Sequence, residues 1–502
     1  MTTKVTIHRL TTGVPGLDAV LCGGLPEFSF NLIAGQPGCG KTTLAHQIMF
    51  ALASAERPAL YFTVLGEPPL KMLRYQQQFD FYDSQALNQR IRFVNLSEEA
   101  MAGDLDLVLR RIVDDVARHA PALVFVDSFR SVMLAGENSG FPQHRLQQFV
   151  QQLGMLMTAW QATTFLIGEY VDETDANPVF TVADGLIWLR QSVLRNSMVR
   201  KLEVLKMRGQ PTLPGLHTYR ISSAGITVFA PAGATAADHV APKCEVVAAR
   251  ARLGVAGLDE MLGGGLPRGY SLLVAGPSGS GKTILSASFL AEGARLGEAG
   301  VVAAFEQRPN HERNRVLAAL IESGQVSLIN SQADDLSIDE IVGLLLAEIH
   351  QRRASRVVID SLSGFELSLA PTFRDDFRES LLRMVTALSN AGVTVLLTTE
   401  LEDRYTDLRF SPYGSAFLTD AIIVQRYIEV ESQLRRVTAV VKVRASAHSD
   451  DLREYTIDAN GIQIGQTLPE LEGLLGGRPA RQRDPKDEAD EDTRAAPPAP
   501  DR

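Results

Sequence analysis

One block of sequence occurs twice in this chain, and the repetition limits the possible folds more than any other feature. TGVPGLDAVLCGGLP begins at Thr12, and LGVAGLDEMLGGGLPRG begins at Leu253. Each is followed by a glycine-rich loop, GQPGCGKTT from Gly35 and GPSGSGKT from Gly276. The loop lysines, Lys41 and Lys282, lie 241 positions apart. LVFVDS (Leu123–Ser128) matches RVVIDS (Arg356–Ser361), with Asp127 and Asp360 separated by 233. VADGLIWLR matches LTDAIIVQR, and EVLKMRG matches AVVKVRA. Solenoid units are far shorter, so the period marks a duplicated domain. The expected layout is domain 1 over 8–230, a linker over 231–245 and domain 2 over 246–468. The small, Pro-bearing stretch APAGATAADHVAP supplies the linker. From 469 to 502 the chain becomes charged and Pro-rich with little apolar content to bury, which predicts a disordered tail.

Within each repeat, short apolar runs such as SFNLIAG, ALYFTV and ALVFVD alternate with helical patterns such as DLVLRRIVDDVARHA. That alternation predicts a mostly parallel, twisted sheet flanked by helices on both faces, once per repeat. The fold class is therefore α/β with two tandem P-loop domains. Apolar residues at 45% and charged residues at 22% suit real cores. A net charge of −10 argues against a protein held on nucleic acid by bulk charge. No apolar run reaches the roughly 18 residues that span a bilayer, and MTTKVTIHRL lacks a signal-peptide core. Cys22, Cys39 and Cys244 form neither a disulfide framework nor a zinc cluster, so a cytoplasmic setting with reduced thiols is expected.

GxxxxGK[ST] between an apolar strand and a helix needs its residue types for physical reasons. Glycines let backbone N–H groups turn inward around phosphates, the lysine reaches the outer phosphate oxygens, and the next hydroxyl meets Mg²⁺. The expected cradle is Gly35, Gly38, Gly40, Lys41, Thr42 and Thr43 in domain 1. In domain 2 it is Gly276, Ser278, Gly279, Ser280, Gly281, Lys282 and Thr283. The implied ligands are ATP and Mg²⁺, with the metal held by Thr42 and Asp127 and by Thr283 and Asp360. An aspartate at a strand end is commonly a cap or turn former. Paired with a P-loop upstream in both copies, the metal role is the better reading. Hydrolysis also needs a carboxylate to orient water. Domain 2 offers Glu306, followed by Gln307. Domain 1 has Leu65-Gly66 at those two places and Glu67 one later.

Together the preamble, P-loop, Asp-Ser strand end and terminal K-x-R strand resemble the KaiC family of RecA-like ATPases, over both domains. The resemblance implies a homohexamer of stacked rings with ATP at subunit interfaces. It also implies that Lys206, Arg208, Lys442 and Arg444 reach a neighbour's nucleotide. The family's tandem clock member carries two adjacent catalytic glutamates per domain. Here only the first survives in domain 2, and neither does in domain 1. Its phosphorylated Ser-Thr pair precedes a Thr-Asp. That pair aligns with Ala416-Phe417, ahead of Thr419-Asp420, leaving Ser411, Ser415 and Thr419 as nearby hydroxyls. Ser415 and Thr419 are the candidate phosphoacceptors. The expected function is an ATP-hydrolysing regulatory ring with Ser/Thr autophosphorylation, a signalling ATPase rather than a timekeeper, working with a protein partner. Two alternatives share its core. A RecA- or DnaB-like nucleic-acid motor would use basic loops such as Arg190–Lys201, which more simply continue a strand pair. A non-catalytic scaffold would use ATP only to assemble.

Overall fold

Strands rich in Val, Ile, Leu and Phe on both faces are stable only where both faces are covered. The computed structural model satisfies this twice. It describes residues 7–64, 69–102, 104–132, 143–170, 177–194, 197–231, 250–305, 314–330, 336–374, 377–401, 418–468, 471–472 and 480–481. The chain divides into two compact units, Met1–Ala237 and Asp238–Arg502. Each unit holds one nine-stranded, mostly parallel sheet.

In domain 1 the strands are β1 (Phe30–Gly35), β2 (Ala59–Thr63), β3 (Ile91–Asn95), β4 (Leu123–Asp127), β5 (Thr163–Glu169), β6 (Gly185–Leu194), β7 (Ser197–Met207), β8 (His217–Ser222) and β9 (Gly225–Phe229). Their spatial order is β9-β8-β7-β6-β1-β5-β4-β2-β3. The six from β6 to β3 are parallel, and β7, β8 and β9 extend the sheet as antiparallel hairpins. The basic run Arg190–Lys201 falls in the β6–β7 pair, where Arg190 bonds Glu203 across the ladder at 3.2 Å.

Domain 2 repeats the plan. Its strands are β10 (Ser271–Gly276), β11 (Gly300–Ala304), β12 (Val326–Asn330), β13 (Arg356–Asp360), β14 (Thr394–Glu400), β15 (Ala421–Val430), β16 (Gln433–Val443), β17 (Leu452–Asp458) and β18 (Gly461–Thr467). The order is β12-β11-β13-β14-β10-β15-β16-β17-β18. In both domains the strand that feeds the P-loop lies at the centre.

The period-2 alternation of a strand sorts side chains between two cores. In domain 1, Ile33, Tyr61, Phe125 and Phe165 meet helix α1 (Lys41–Leu52) through Leu44, Ile48 and Met49. Their neighbours Leu32, Phe62, Val124 and Leu166 meet the helix Leu105–His119 and residues Phe149, Val150 and Leu153 on the opposite face. In domain 2, Leu272, Val302, Val358 and Leu396 meet α2 (Lys282–Arg295) through Leu285 and Phe289. The helices Ile338–Arg352 and Phe377–Asn390 pack together in the second layer. The repeated preambles form matching ribbons, Arg9–Leu10 against Leu25–Pro26 and Arg250–Ala251 against Leu266–Pro267. Asp18 and Asp259 fix them by accepting backbone N–H groups of Thr12 and Leu253. Residues 232–249, which include all of the expected linker except Pro231, lie outside the described residues. In the segment expected to be a disordered tail, Leu471–Glu472 pairs antiparallel with Ala480–Arg481, which departs from that expectation for these four residues. No helix among the described residues is long and apolar enough to cross a membrane.

The copies differ inside their cores. Domain 2 buries Arg356 at the start of β13, where domain 1 has Leu123. Its guanidinium bonds Glu298 at 2.6 Å and the carbonyls of Arg252 and Phe289, and lies over the Phe289 ring. Domain 1 buries His46 on α1, where domain 2 has Ala287. Burial pushes the His46 pKa from 6.5 down to about 4. Between those values the unfolded chain holds a proton that the folded ring does not. The stability from a neutral His46 is therefore complete above pH 6.5 and is lost as pH falls toward 4. From pH 7 to pH 5 domain 1 should lose about 2 kcal/mol through this residue. Urea midpoints of domain 1 at the two pH values should converge in His46→Leu. An unchanged pH slope in that variant would place the effect elsewhere.

Candidate phosphate-binding site

Several of the described helices are closed at their N-termini by side chains. Asp104 caps Leu105–His119, and Ser337 with Glu340 forms a capping box on Ile338–Arg352. The two helices that follow the glycine loops have no side-chain cap. Gly40 and Gly281 stand at those positions with φ of 97° and 96°. A side chain there would be strained, and its Cβ would lie 2.7 Å from Ile221 Cδ1 or Ile457 Cδ1. The first-turn N–H groups of α1 and α2 thus face the loop, where the helix dipole favours an anion.

Backbone geometry in the loop is tied down from the far side of the sheet. Tyr219 on β8 donates its hydroxyl to the Cys39 carbonyl, and Tyr455 on β17 donates to the Ser280 carbonyl at 2.7 Å. Burial raises both phenol pKa values, so both remain donors. Gln191 bonds the Pro37 carbonyl at 3.0 Å, and Ser280 bonds Gln425 at 3.1 Å. Cys39 is buried, and burial raises its thiol pKa, so it packs as a small apolar residue.

Lys41 Nζ donates to the Gln36 carbonyl at 2.8 Å. Lys282 Nζ donates to Gly276 and Pro277 at 2.7 and 2.8 Å. Opposite Lys41 stands Asp127, and Thr42 Oγ1 donates to Asp127 Oδ2 at 2.8 Å, so the expected pair is assembled in domain 1. Tyr61 donates to the same oxygen at 2.7 Å. Burial raises the Asp127 pKa despite these bonds, and burial with the adjacent carboxylate keeps Tyr61 protonated. In domain 2 an open cleft of about 280 Å³ is lined by Gly279, Gly281, Lys282, Thr283, Asp360 and Glu400. Asp360 accepts from Thr398 at 2.5 Å. Both aspartates precede a cis peptide bond to serine. Ser361, not Asp360, caps the next helix by accepting from Gly364 N–H, which leaves the carboxylate to the cleft.

The residues fit a magnesium nucleotide. An uncapped helix start and a lysine suit phosphates, and a hydroxyl with a carboxylate suits a hard cation. Among the described residues no group of three or more His, Cys, Asp or Glu is placed to hold a metal unaided, so phosphate oxygens would complete such a site.

Two carboxylates in the pockets went unread in the sequence. Glu169 ends β5 with its oxygen 3.9 Å from Lys41 Nζ, and Glu400 ends β14 at the same place in domain 2. The signal was available, because TTFLIGE and VTVLLTTE close on glutamate at matching positions. Glu67, Glu306 and Ser415 lie outside the described residues. Thr419 is fully buried. The K-x-R residues stand apart from their own loops. Lys206 bonds the carbonyls of Phe180 and Thr181, and Arg208 bonds Asp184. Asp184 pairs with the start of β1, whereas the loop follows its end. Lys442 and Arg444 hold Thr419 and Asp420, beside the start of β10, in the same way. Burial, with the adjacent arginine, lowers the pKa of each lysine. A six-residue strand spans about 16 Å, too far for these side chains to serve their own domain's loop.

A family model described as "ATPase: KaiC" matches residues 10–233 and again 251–468. The chain belongs to the KaiC ATPase family. The "Circadian clock oscillator protein KaiC" of Picosynechococcus sp. is 26% identical over 490 residues, covering 95% of this chain and 93% of that protein. The protein of the same name from Rippkaea orientalis is 26% identical over 489 residues, covering 95% and 92%. "Circadian clock oscillator protein KaiC 1" of Synechocystis sp. gives the same figures. Both KaiC-type domains are thus present with the RecA-like sheet order.

Removing a tyrosine hydroxyl leaves a buried loop carbonyl unpaired, at a cost of about 1–3 kcal/mol. Tyr455→Phe should weaken nucleotide binding at domain 2 by roughly tenfold, and Tyr219→Phe should do the same at domain 1. Fluorescent-nucleotide titration with the other P-loop lysine changed to alanine reads each site alone. Unchanged affinity in both would mean that the tyrosines do not shape the loop.

Proposed function

We propose that this chain is an ATP-hydrolysing, KaiC-type signalling ATPase that works as a nucleotide-assembled homohexameric ring. The observation that carries the reading is the duplicated cradle. In each domain an uncapped helix start, a lysine and an aspartate, buried in domain 1 and partly buried in domain 2, converge at the end of the central strand. Bound Mg-ATP would supply the phosphoanhydride bond to be cleaved. Lys41 and Lys282 would hold the outer phosphates. Thr42 with Asp127, and Thr283 with Asp360, would supply the protein oxygens for the metal. The K-x-R residues lie at the opposite strand ends from their own loops, which favours a role for Lys206, Arg208, Lys442 and Arg444 at a neighbouring subunit's nucleotide. Assembly into a ring would give them one.

Domain 2 carries most of the turnover in this reading. It keeps Glu306 where the family resemblance places the first catalytic glutamate, whereas domain 1 has Leu65 there. A water-orienting base contributes about 10²–10⁴-fold. Autophosphorylation on Ser/Thr is the further activity proposed, with Ser415 the preferred acceptor because Thr419 is fully buried. A protein partner would read the nucleotide or phosphorylation state. Glu306→Gln should remove most steady-state phosphate release and any autophosphorylation, and Glu67→Gln should change little. The reverse ranking would assign catalysis to domain 1. Full turnover in both variants would move attention to Glu400 and Glu169.

A further inference from the structure

A buried carboxylate must be held by donors, because an unpartnered one is too costly to keep ionised. Asp127 is buried and Asp360 partly buried, and the two are held by different residues. In domain 1, Asp127 lies between Thr63 of β2 and Ile167 of β5 in the sheet register. Tyr61, two residues before Thr63, shares its face and donates to Asp127 Oδ2. The Tyr61 ring is fully buried and packed edge-on by His46, one helical turn beyond Thr42. In domain 2 the place of Tyr61 is taken by Val302, which has no donor. It pairs with Val358 as Tyr61 pairs with Phe125. Here the hydroxyl comes from the other side. Thr398 of β14 stands where domain 1 has Ile167, and it donates to Asp360 Oδ1. Each domain therefore has one hydroxyl on its aspartate from a flanking strand, and an apolar residue at the position from which the other domain draws its own.

We infer that Tyr61 and Thr398 are positioning residues, interchangeable in role, that fix the metal-side aspartate of their respective domains. This rests on the reading that both loops bind a magnesium nucleotide. The aspartate rotamer decides whether a carboxylate oxygen faces Thr42 or Thr283 and the cation beside it. Without the flanking hydroxyl the carboxylate loses a donor that fixes the direction of its oxygens. Metal affinity should fall, while the grip of glycines and lysine on the phosphates should not.

Site-resolved titration with a fluorescent ATP analogue tests this, in Lys282→Ala protein for domain 1 and Lys41→Ala protein for domain 2. Tyr61→Phe should raise the Mg²⁺ concentration for half-maximal binding about tenfold and leave affinity in EDTA unchanged. Thr398→Val should do the same at domain 2, and Thr398→Ser should restore the parent value. Adding Ile167→Thr to Tyr61→Phe copies the domain 2 arrangement into domain 1 and should recover Mg²⁺ dependence. An equal loss of affinity with and without Mg²⁺ would show a purely structural role and overturn the inference. So would an unshifted Mg²⁺ curve in both Tyr61→Phe and Thr398→Val. If the parent single-lysine variants bind no nucleotide, the two-site reading itself fails, and this inference with it.

Discussion

Everything at the sites depends on one arrangement: a helix start without a cap, held at the end of the sheet's central strand. The free N–H groups of α1 and α2 make a standing demand for an anion. The flanking structure keeps that demand from being met internally. Glycine at the cap position offers no side-chain acceptor, and Tyr219 or Tyr455 anchors the loop carbonyls from the antiparallel half of the sheet. The strand order then decides what stands opposite. Strand β5 and its counterpart β14 adjoin the central strand and bring in Glu169 and Glu400. One strand further on, β4 and β13 deliver Asp127 and Asp360. The chemistry of each pocket is thus a consequence of register in a parallel sheet.

Duplication supplies an internal comparison. Both copies keep the glycine loop, its lysine and the aspartate opposite, and they differ in which neighbouring residue holds that aspartate. Domain 1 surrounds its aspartate with an aromatic and histidine cluster. Domain 2 uses a threonine there, and places the fully buried guanidinium of Arg356 at the opposite end of the sheet. A buried ion pair is weak evidence for added stability, and Leu123 fills the same place in domain 1 without one. The K-x-R residues show a second kind of constraint. Anchored at the starts of β1 and β10, they sit a full strand length from their own loops.

Fold class was legible because its signals are redundant. Apolar runs, helical periodicity and a repeated preamble agree with one another at every step. The phosphate cradle was legible for a similar reason, since glycine spacing followed by Lys-Thr has few other physical uses. Tyr61, Thr398, Glu169 and Glu400 were not found, because their roles come from neighbouring strands that are distant in sequence. A tyrosine inside ALYFT reads as core until β2 is placed beside β4. Glu169 and Glu400 close apolar strands at matching places in the two copies. Only the knowledge that these strands flank the P-loop strand turns that coincidence into a site. The expected disorder from 469 onward came from composition, which is blind to the short pair formed by Leu471–Glu472 and Ala480–Arg481.

The central claim is that each chain carries two independent nucleotide sites built on the duplicated loops. Nucleotide stoichiometry measures it most directly, by equilibrium dialysis with a slowly hydrolysed ATP analogue and Mg²⁺. The account predicts two nucleotides per chain, one in Lys41→Ala, one in Lys282→Ala and none in the double variant. Full occupancy in the double variant, or a single nucleotide lost to both single variants together, would contradict it.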